Sequence, residues 1–282
     1  APSFYFVKRR NNFFSYRRID SDTVHSSSVA MSAKLLTTLA PACAASMLVL
    51  FSNPSAASGC DPCGAFKAGV NWGTTSVSAL TEASGLAASA RNSGVVWTHN
   101  DGSKGKLYAL CTNSTHLATF SLNQGVDDVE DIAVGPGPVS GVSYLYIGDI
   151  GGSAESSGVR SQVQILRAAE PVVSLDWGRN PVSNDFSDLS IFTLTYPDGS
   201  YNAETLMVDP ISLDVLVVTK ADPARVYRAN LTNAVSGSTQ AFQFVCSVAF
   251  KKASGGDISA DGTKILLRRE DYAMLWARCD EE

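Results

Sequence analysis

The sequence has little of what several large classes of protein need. Charged residues make up only 17% of its 282 residues, which argues against a disordered tail or a coiled coil, and its 22 glycines have no collagen-like period. Helical periodicity is almost absent after residue 60. No run of basic residues occurs in the body of the chain. The sequence therefore predicts no binding to nucleic acid.

Several catalytic and metal-binding signatures are also missing. The serines form no Gly-x-Ser-x-Gly elbow, and the glycines near Lys104 precede no helix that could bind a phosphate group. Cys60 and Cys63 have the spacing of a redox or zinc pair, but no βαβ pattern surrounds them and no second pair follows. We interpret this pair as a structural tether, and the chain has no complete catalytic motif.

The N-terminal region has the composition of an export signal. Residues 1–30 precede the first methionine, Met31, and are interpreted as upstream translated sequence outside the fold. A lysine, an apolar stretch and a series of small residues then predict a secretory signal peptide over residues 31–57. The alternatives are a membrane anchor, which Pro41 disfavours, and a mitochondrial presequence, which Asp20 disfavours.

Without residues 1–57 the protein is distinctly acidic. These residues hold six of the 22 Lys and Arg and two of the 27 Asp and Glu, so the net charge changes from −5 to −9 when they are removed. Such a charge favours cations or neutral ligands over polyanions and anionic membranes. We expect a secreted monomer, with no stable membrane insertion after signal cleavage, that binds an extracellular small molecule, glycan or protein.

The cysteines and the glycosylation tripeptides agree with export. An odd number of cysteines follows the signal, which predicts two disulfides and one free thiol, or a partner beyond the end of the chain. The disulfide candidates are Cys60, Cys63, Cys111, Cys246 and Cys279. Asn113 and Asn230 each begin an Asn-x-Thr/Ser tripeptide in a polar segment, so both are predicted glycosylation sites.

The body of the chain repeats one pattern of short strands four times. Each unit has a short strand, a turn, an apolar second strand that ends in polar residues, and a third strand. The units lie at residues 84–110, 130–166, 204–228 and 257–276, and an insertion is predicted around residues 171–188. The pattern predicts an all-β domain over residues 58–282, a β-propeller of four-stranded blades. A β-sandwich is the alternative.

Six motifs in the repeats carry a family resemblance. They are Ser84-Gly-Leu-Ala, Val96-Trp-Thr-His-Asn-Asp101, Glu130-Asp-Ile-Ala-Val-Gly-Pro136, Leu145-Tyr-Ile-Gly-Asp-Ile-Gly151, Tyr196-Pro-Asp-Gly199 and Asn202-Ala-Glu204. They resemble the secreted six-bladed TolB-like propellers, which border the NHL-repeat, phytase-like and gluconolactonase families. Gly151-Gly-Ser153 departs from the Gly-Asp-Asn expected there. Because residues 58–282 provide four to five blades at about 45 residues each, the resemblance implies a ring that is incomplete at its C-terminal end.

A propeller brings the innermost strands of its blades together around a channel, so equivalent positions of the repeats form a ring. The carboxylates predicted to hold Ca²⁺ there are Glu130, Asp149 and Glu204. The predicted ligand contacts are Asn100, Asp101, Lys220 and Arg268, and His99 is the candidate general base. The alternative for all these groups is a structural role in hydrogen bonds and ion pairs between blades.

Two functions fit these residues. The main hypothesis is an extracellular binding or interaction module in which a channel cation is structural, since no complete catalytic constellation is present. The second is a calcium-dependent hydrolase of phosphoesters or sugar lactones, in which the ion would polarise the substrate and activate water. Lys220 and Arg268 would then stabilise an anionic substrate, although the acidic charge of the protein argues mildly against a phosphate.

Overall fold

The computed structural model describes residues 71, 73–152 and 158–278. The predicted upstream and signal segments and Cys60, Cys63 and Cys279 lie outside the described residues. Nearly all regular structure in the described part is β-strand, as the short apolar runs of the sequence predict. No helix in these ranges has the length and hydrophobicity needed to cross a membrane.

The described elements are seventeen strands and one short 3₁₀ helix. Blade 1 contains β1 (Ala83–Ala88), β2 (Val95–Asn100), β3 (Lys106–Cys111) and β4 (His116–Ser121). Next come β5 (Val129–Pro136), β6 (Ser143–Asp149), β7 (Gln162–Ala169), the 3₁₀ helix (Leu175–Arg179), β8 (Val182–Asp185) and β9 (Ser190–Thr195). The remaining strands are β10 (Ala203–Val208), β11 (Asp214–Thr219), β12 (Ala224–Asn230), β13 (Thr239–Ala241), β14 (Gln243–Val248), β15 (Gly256–Ile258), β16 (Lys264–Arg268) and β17 (Ala273–Ala277).

Four sheets follow one another along the chain as the blades of a β-propeller. β1–β4 form blade 1, β5, β6, β7 and β9 form blade 2, β10, β11, β12 and β14 form blade 3, and β15–β17 form blade 4. The strands within each blade are antiparallel. The innermost strands pack in sequence, β1 against β5, β5 against β10 and β10 against β15. The predicted all-β propeller fold is confirmed.

Blades 1 and 2 each gain a fifth strand from the blade that follows. β8 pairs in parallel with β4 at the outer edge of blade 1, and β13 pairs in parallel with β9 at the outer edge of blade 2. Both added strands lie in the connection between the third and fourth strands of the next blade. The insertion predicted around residues 171–188 therefore contains a strand that covers its neighbour's edge.

Apolar side chains fill the spaces between neighbouring blades. Trp97 of blade 1 and Ile147 of blade 2 are fully buried in the first of these cores, and Phe192 of blade 2 and Tyr227 of blade 3 are fully buried in the second. A third core joins blades 3 and 4. Successive residues of a strand face opposite sides of a sheet, so the middle blades pack on both faces.

The described part of the chain contains two cysteines. Cys111 ends β3 in blade 1, and Cys246 is buried in β14 of blade 3. They are not bonded to each other. Any disulfide at either position would therefore need one of the cysteines outside the described residues.

Hydrogen bonds from side chains to backbone connect the innermost strands of successive blades. Adjacent blades share no ladder at these strands, so their inner backbone groups need other partners. The three bonds run from Ser84 Oγ to Glu130 O at 2.8 Å, from Leu206 N to Asp131 Oδ2 at 2.9 Å and from Gly255 N to Thr205 Oγ1 at 3.0 Å. Each junction between blades thus has one such bond.

A buried carboxylate also joins blades 1 and 2. Glu170, which follows β7, is 0% exposed. Its oxygens accept hydrogen bonds from Trp97 Nε1 at 2.8 Å, Ser143 Oγ at 2.7 Å and Arg91 N at 3.0 Å. Ser89 Oγ is a fourth donor at 2.5 Å. These donors replace the water that a buried charge loses.

Replacing Glu170 by glutamine should destabilise this junction. One acceptor oxygen becomes an NH₂ group that faces hydrogen-bond donors, so we expect Glu170→Gln to lower the free energy of unfolding by about 1–3 kcal/mol. The measurement is a urea titration. The matched control, Glu270→Gln at an exposed position, should change it by less than about 0.5 kcal/mol. Equal stability of the two variants would contradict the role of Glu170.

Candidate functional site

Three carboxylates converge where the innermost strands of blades 1 and 2 meet. Asp101 follows β2, Asp128 precedes β5, and Glu130 is the second residue of β5. One carboxylate oxygen from each residue lies within 4.8 Å of the other two. We call these three residues the acidic cluster.

The backbone after β6 approaches the acidic cluster closely at a glycine. A Cβ atom at Gly151 would lie 2.3 Å from Asp128 Oδ2 and 2.8 Å from Glu130 Cγ. These distances are shorter than any normal contact, so a larger residue at this position would displace the carboxylates. Only glycine fits at position 151 without displacing the carboxylates of the cluster.

Glu130 is the most buried residue of the cluster, and its carboxylate has no hydrogen-bond donor among the described residues. The residue is only 6% exposed. In the described part of the chain, neither its carboxylate nor those of Asp101 and Asp128 has a hydrogen bond or an ion pair. Partial burial removes some of the water around the Glu130 carboxylate, so a proton or a cation would stabilise this group.

The electrostatics of the cluster favour the protonated form of Glu130. Burial is the main cause that raises the pKa of Glu130 to about 9. The carboxylates of Glu204, Asp101 and Asp128 raise this pKa further, and Lys220 opposes them. Burial also raises the pKa of Asp128, with a contribution from Asp101. The cluster thus holds a proton at neutral pH when no cation is bound.

Asp149, a predicted metal ligand, lies outside the acidic cluster, and its carboxylate has three hydrogen-bond donors. Its oxygens accept hydrogen bonds from Asp127 N at 2.9 Å, Asp128 N at 3.0 Å and Arg160 Nη2 at 2.7 Å. The carboxylate is nearly fully buried and is committed to these donors. Asp149 is therefore a positioning residue that fixes the backbone from which Asp128 extends.

Glu204, the other predicted ligand outside the cluster, pairs with a predicted ligand contact. Glu204 Oε1 accepts a hydrogen bond from Lys220 Nζ in a half-buried ion pair. Arg268 Nη1 lies 3.3 Å from Ser254 Oγ, to which it donates. Lys220 and Arg268 thus have partners within the protein, and the charge of Glu204 is compensated.

The predicted base His99 and the predicted ligand contact Asn100 both have hydrogen-bond partners within blade 1 and the segment before it. His99 is 1% exposed, its Nε2 accepts a hydrogen bond from Gly85 N at 3.1 Å, and its Nδ1 donates to Asn100 O at 2.7 Å. The Asn100 side chain accepts from Glu82 N at 2.9 Å and donates to Ala79 O at 2.7 Å. Both residues therefore fix blade 1 and the segment before it.

The sequence prediction identified two members of the cluster and missed the third. Asp101 was expected as a ligand contact and Glu130 as a metal ligand, whereas Asp128 was not selected. Strand alternation could not have identified Asp128, because it precedes β5 and the pairing of β5 with β6 shifts by a bulge between Val129 and Asp131. Oxygen atoms from three carboxylates are hard ligands of the kind that Ca²⁺ prefers.

Comparisons with protein-family models and with curated proteins find no match. Among solved structures, the chain is similar to a nidogen/laminin complex, with 13% identity and a TM-score of 0.43 over 73% of this chain and 63% of the other. It is similar to an auxiliary nutrient binding protein from Bacteroides thetaiotaomicron, with 11% identity and a TM-score of 0.40 over 69% of this chain and 38% of the other.

A third similar structure is the Dos1 propeller, with 10% identity and a TM-score of 0.34 over 70% of this chain and 55% of the other. The chain thus spans less than two thirds of the length of each of these three proteins. Because the structural similarity is low, the propeller fold is assigned from the blades of the structure itself.

The proton on Glu130 predicts how stability depends on pH without divalent cations. Between pH 4.5, the ordinary pKa, and about 9, the folded protein holds a proton that the unfolded chain has released. Glu130 should therefore lower stability as pH rises through this window, and its own contribution to the slope is at most about 1.4 kcal/mol per pH unit. Urea titrations with chelator at a series of pH values measure this slope, and Glu130→Gln should reduce it. An identical slope in the variant would contradict the assignment.

Proposed function

We propose that this protein is an extracellular binding module, a β-propeller in which Asp101, Asp128 and Glu130 hold a Ca²⁺ ion. The observation that carries the cation site is the convergence of three carboxylates whose oxygens lie within 4.8 Å of one another, one of them from Glu130, a residue that is only 6% exposed and has no hydrogen-bond donor for its carboxylate among the described residues. Two further carboxylates lie beside it. A divalent cation would replace the proton and remove the repulsion among the three groups.

The donor set fits calcium better than the other common metal ions. All three candidate ligands are carboxylates, without the thiolate or imidazole ligands that soft or borderline metals prefer. Calcium accepts about 6–8 oxygen ligands in flexible geometry, whereas magnesium requires a near-ideal octahedron. The three carboxylates come from two different blades and their loops, so their geometry suits calcium better than magnesium.

The ion would connect two blades. Asp101 extends from blade 1, while Asp128 and Glu130 belong to the start of blade 2. One cation bound by all three residues would stabilise the folded state by cross-linking these blades near the channel. This is a structural role, in agreement with a module that binds its partner elsewhere on the surface.

Contacts near the cluster support binding over hydrolysis. A hydrolase of the calcium-dependent kind needs a base or cationic groups that are free to contact a substrate. His99 is buried with both ring nitrogens engaged, and Lys220 is paired with Glu204. The binding module therefore remains the main hypothesis.

Calcium titration calorimetry tests the proposed site. We expect binding that weakens as the pH falls below about 9, because the ion must displace the proton on Glu130. Glu130→Gln and Asp128→Asn should each weaken binding at least about tenfold, equal to about 1.4 kcal/mol. Gly151→Ala should act in the same direction, since its Cβ would displace two of the ligands.

Two matched controls accompany these variants. Asp188→Asn changes an exposed acidic residue outside the cluster, and Gly125→Ala adds a Cβ with nothing within 4 Å. Both should bind calcium like the parent protein. Calcium binding that survives Glu130→Gln would refute the site, and chelator-sensitive turnover of a phosphoester or a sugar lactone would favour the hydrolase instead.

The two predicted glycosylation sites differ in how available their side chains are. Asn113 is exposed in the turn between β3 and β4, and its Nδ2 has no hydrogen bond to the described residues. The Nδ2 of Asn230 donates to Leu213 O at 3.4 Å and to Asp214 Oδ1 at 3.1 Å. A glycan on Asn230 would break these contacts, whereas one on Asn113 would not.

If the protein is exported as proposed, Asn113 should carry the glycan. After secretion from a eukaryotic host, treatment with an N-glycosidase should reduce the mass of the protein. Asn113→Gln should abolish most of this change and Asn230→Gln little of it. A change in mass that depends on Asn230 instead would contradict the argument from the hydrogen bonds.

A further inference from the structure

An open cleft of about 820 Å³ lies on blade 2, beside the acidic cluster. Its walls come from β6, β7 and β9, from the segments before β7 and after β9, and from the connection between β4 and β5, which contributes Gln124 and Asp127. The volume falls within the range of about 300–1,000 Å³ that is typical of small-ligand sites. None of the three proposed calcium ligands lines this cleft.

The blade 2 wall changes from apolar to polar along its length. Leu166 of β7 and Ile191 of β9 pair across the strands and pack in the core between blades 1 and 2. Two residues further along each strand, Gln164 pairs with Thr193, and both line the cleft together with Gln162. Alternate residues share one face of a strand, so the cleft wall is the continuation of the packing face.

The polar groups on this wall are available to a ligand. The side chains of Gln162, Gln164 and Thr193 make no hydrogen bonds to the described residues. Gln164 and Thr193 are half-buried, while Gln162 is exposed at the outer end of the wall. Amide and hydroxyl groups both donate and accept hydrogen bonds, and apolar residues at these positions would instead have extended the core.

The charges in the cleft leave little attraction for an anion. The guanidinium of Arg160 donates to Asp149 Oδ1 at 2.7 Å and to Gly151 O at 2.9 Å, and lies 3.5 Å from Asp127 Oδ2. Two carboxylates thus more than offset the charge of this cation, and the described lining contains no other Lys or Arg. A ligand with hydroxyl groups and no net charge matches such a wall best.

We infer that the cleft on blade 2 binds a neutral polyhydroxylated ligand, an oligosaccharide. This rests on the proposed function as a binding module and names its ligand class. Gln162, Gln164 and Thr193 would make the hydrogen bonds, and Arg160 would hold the wall in place. Asp149 links the cleft to the acidic cluster, because it bonds both Arg160 and the backbone of Asp128.

Titration calorimetry of the full chain in calcium buffer tests the inference. The probes are neutral hexasaccharides of glucose and xylose in several linkages, with an oligogalacturonate as the anionic comparison and a chitosan oligomer as the cationic one. We expect a neutral probe to bind. Gln164→Leu and Thr193→Val should each weaken this binding about tenfold. The matched control is Gln243→Leu on β14, which lies outside the cleft and should leave it unchanged.

The calcium affinity of each variant shows whether it is folded and separates the two proposals. Calcium binding without binding of any neutral probe overturns the inference about the cleft and leaves the proposed cation site intact. Sugar binding without calcium binding overturns the proposed cation site and leaves the inference about the cleft intact. Binding of only the charged probes, or sugar binding that Gln164→Leu and Thr193→Val do not weaken, also overturns the inference.

Discussion

The innermost strands of a propeller meet without a shared hydrogen-bond ladder, and much of this structure follows from that constraint. Their backbone groups must find side-chain partners, which Ser84, Asp131 and Thr205 provide at the three junctions. Polar residues near the channel are therefore needed to satisfy these backbone groups, whether or not they also bind a ligand. A carboxylate in this region indicates a ligand site only when no backbone N–H group donates a hydrogen bond to it.

Glu130 and Asp131 show the difference within a single dipeptide. They are neighbours on β5, where the pairing with β6 shifts between Val129 and Asp131 and leaves Glu130 without a partner in the ladder. Asp131 accepts hydrogen bonds from Ile132 N and Leu206 N. These bonds lower its pKa against the stronger effect of burial, which raises it to about 7. Glu130 is buried to a similar degree without such donors, and this contrast distinguishes a structural carboxylate from a candidate ligand.

The sequence predicted most of the blades and part of the site. Strong local patterns located β5, β6, β10 and β11, because a buried strand needs a continuous apolar run between turns. It could not predict that β8 and β13 pair with the preceding blade, since such pairing depends on distant partners. Similarly, Asp149 looked like a ligand because its position at a strand end is visible in the sequence, whereas the three donors around it are not.

The parallel strands β8 and β13 determine the order in which the blade edges can be paired while the chain is being synthesised. Blade 1 cannot complete its outer edge until residues 182–185 have left the ribosome, by which time three strands of blade 2 have been made. Blade 2 depends on residues 239–241 in the same way. Until then each blade exposes an unpaired edge to other nascent chains. Blades 1 and 2 are thus each completed only after part of the following blade has been synthesised. A ribosome that stalled before β8 or β13 was made would leave the preceding blade with an unpaired edge that can aggregate.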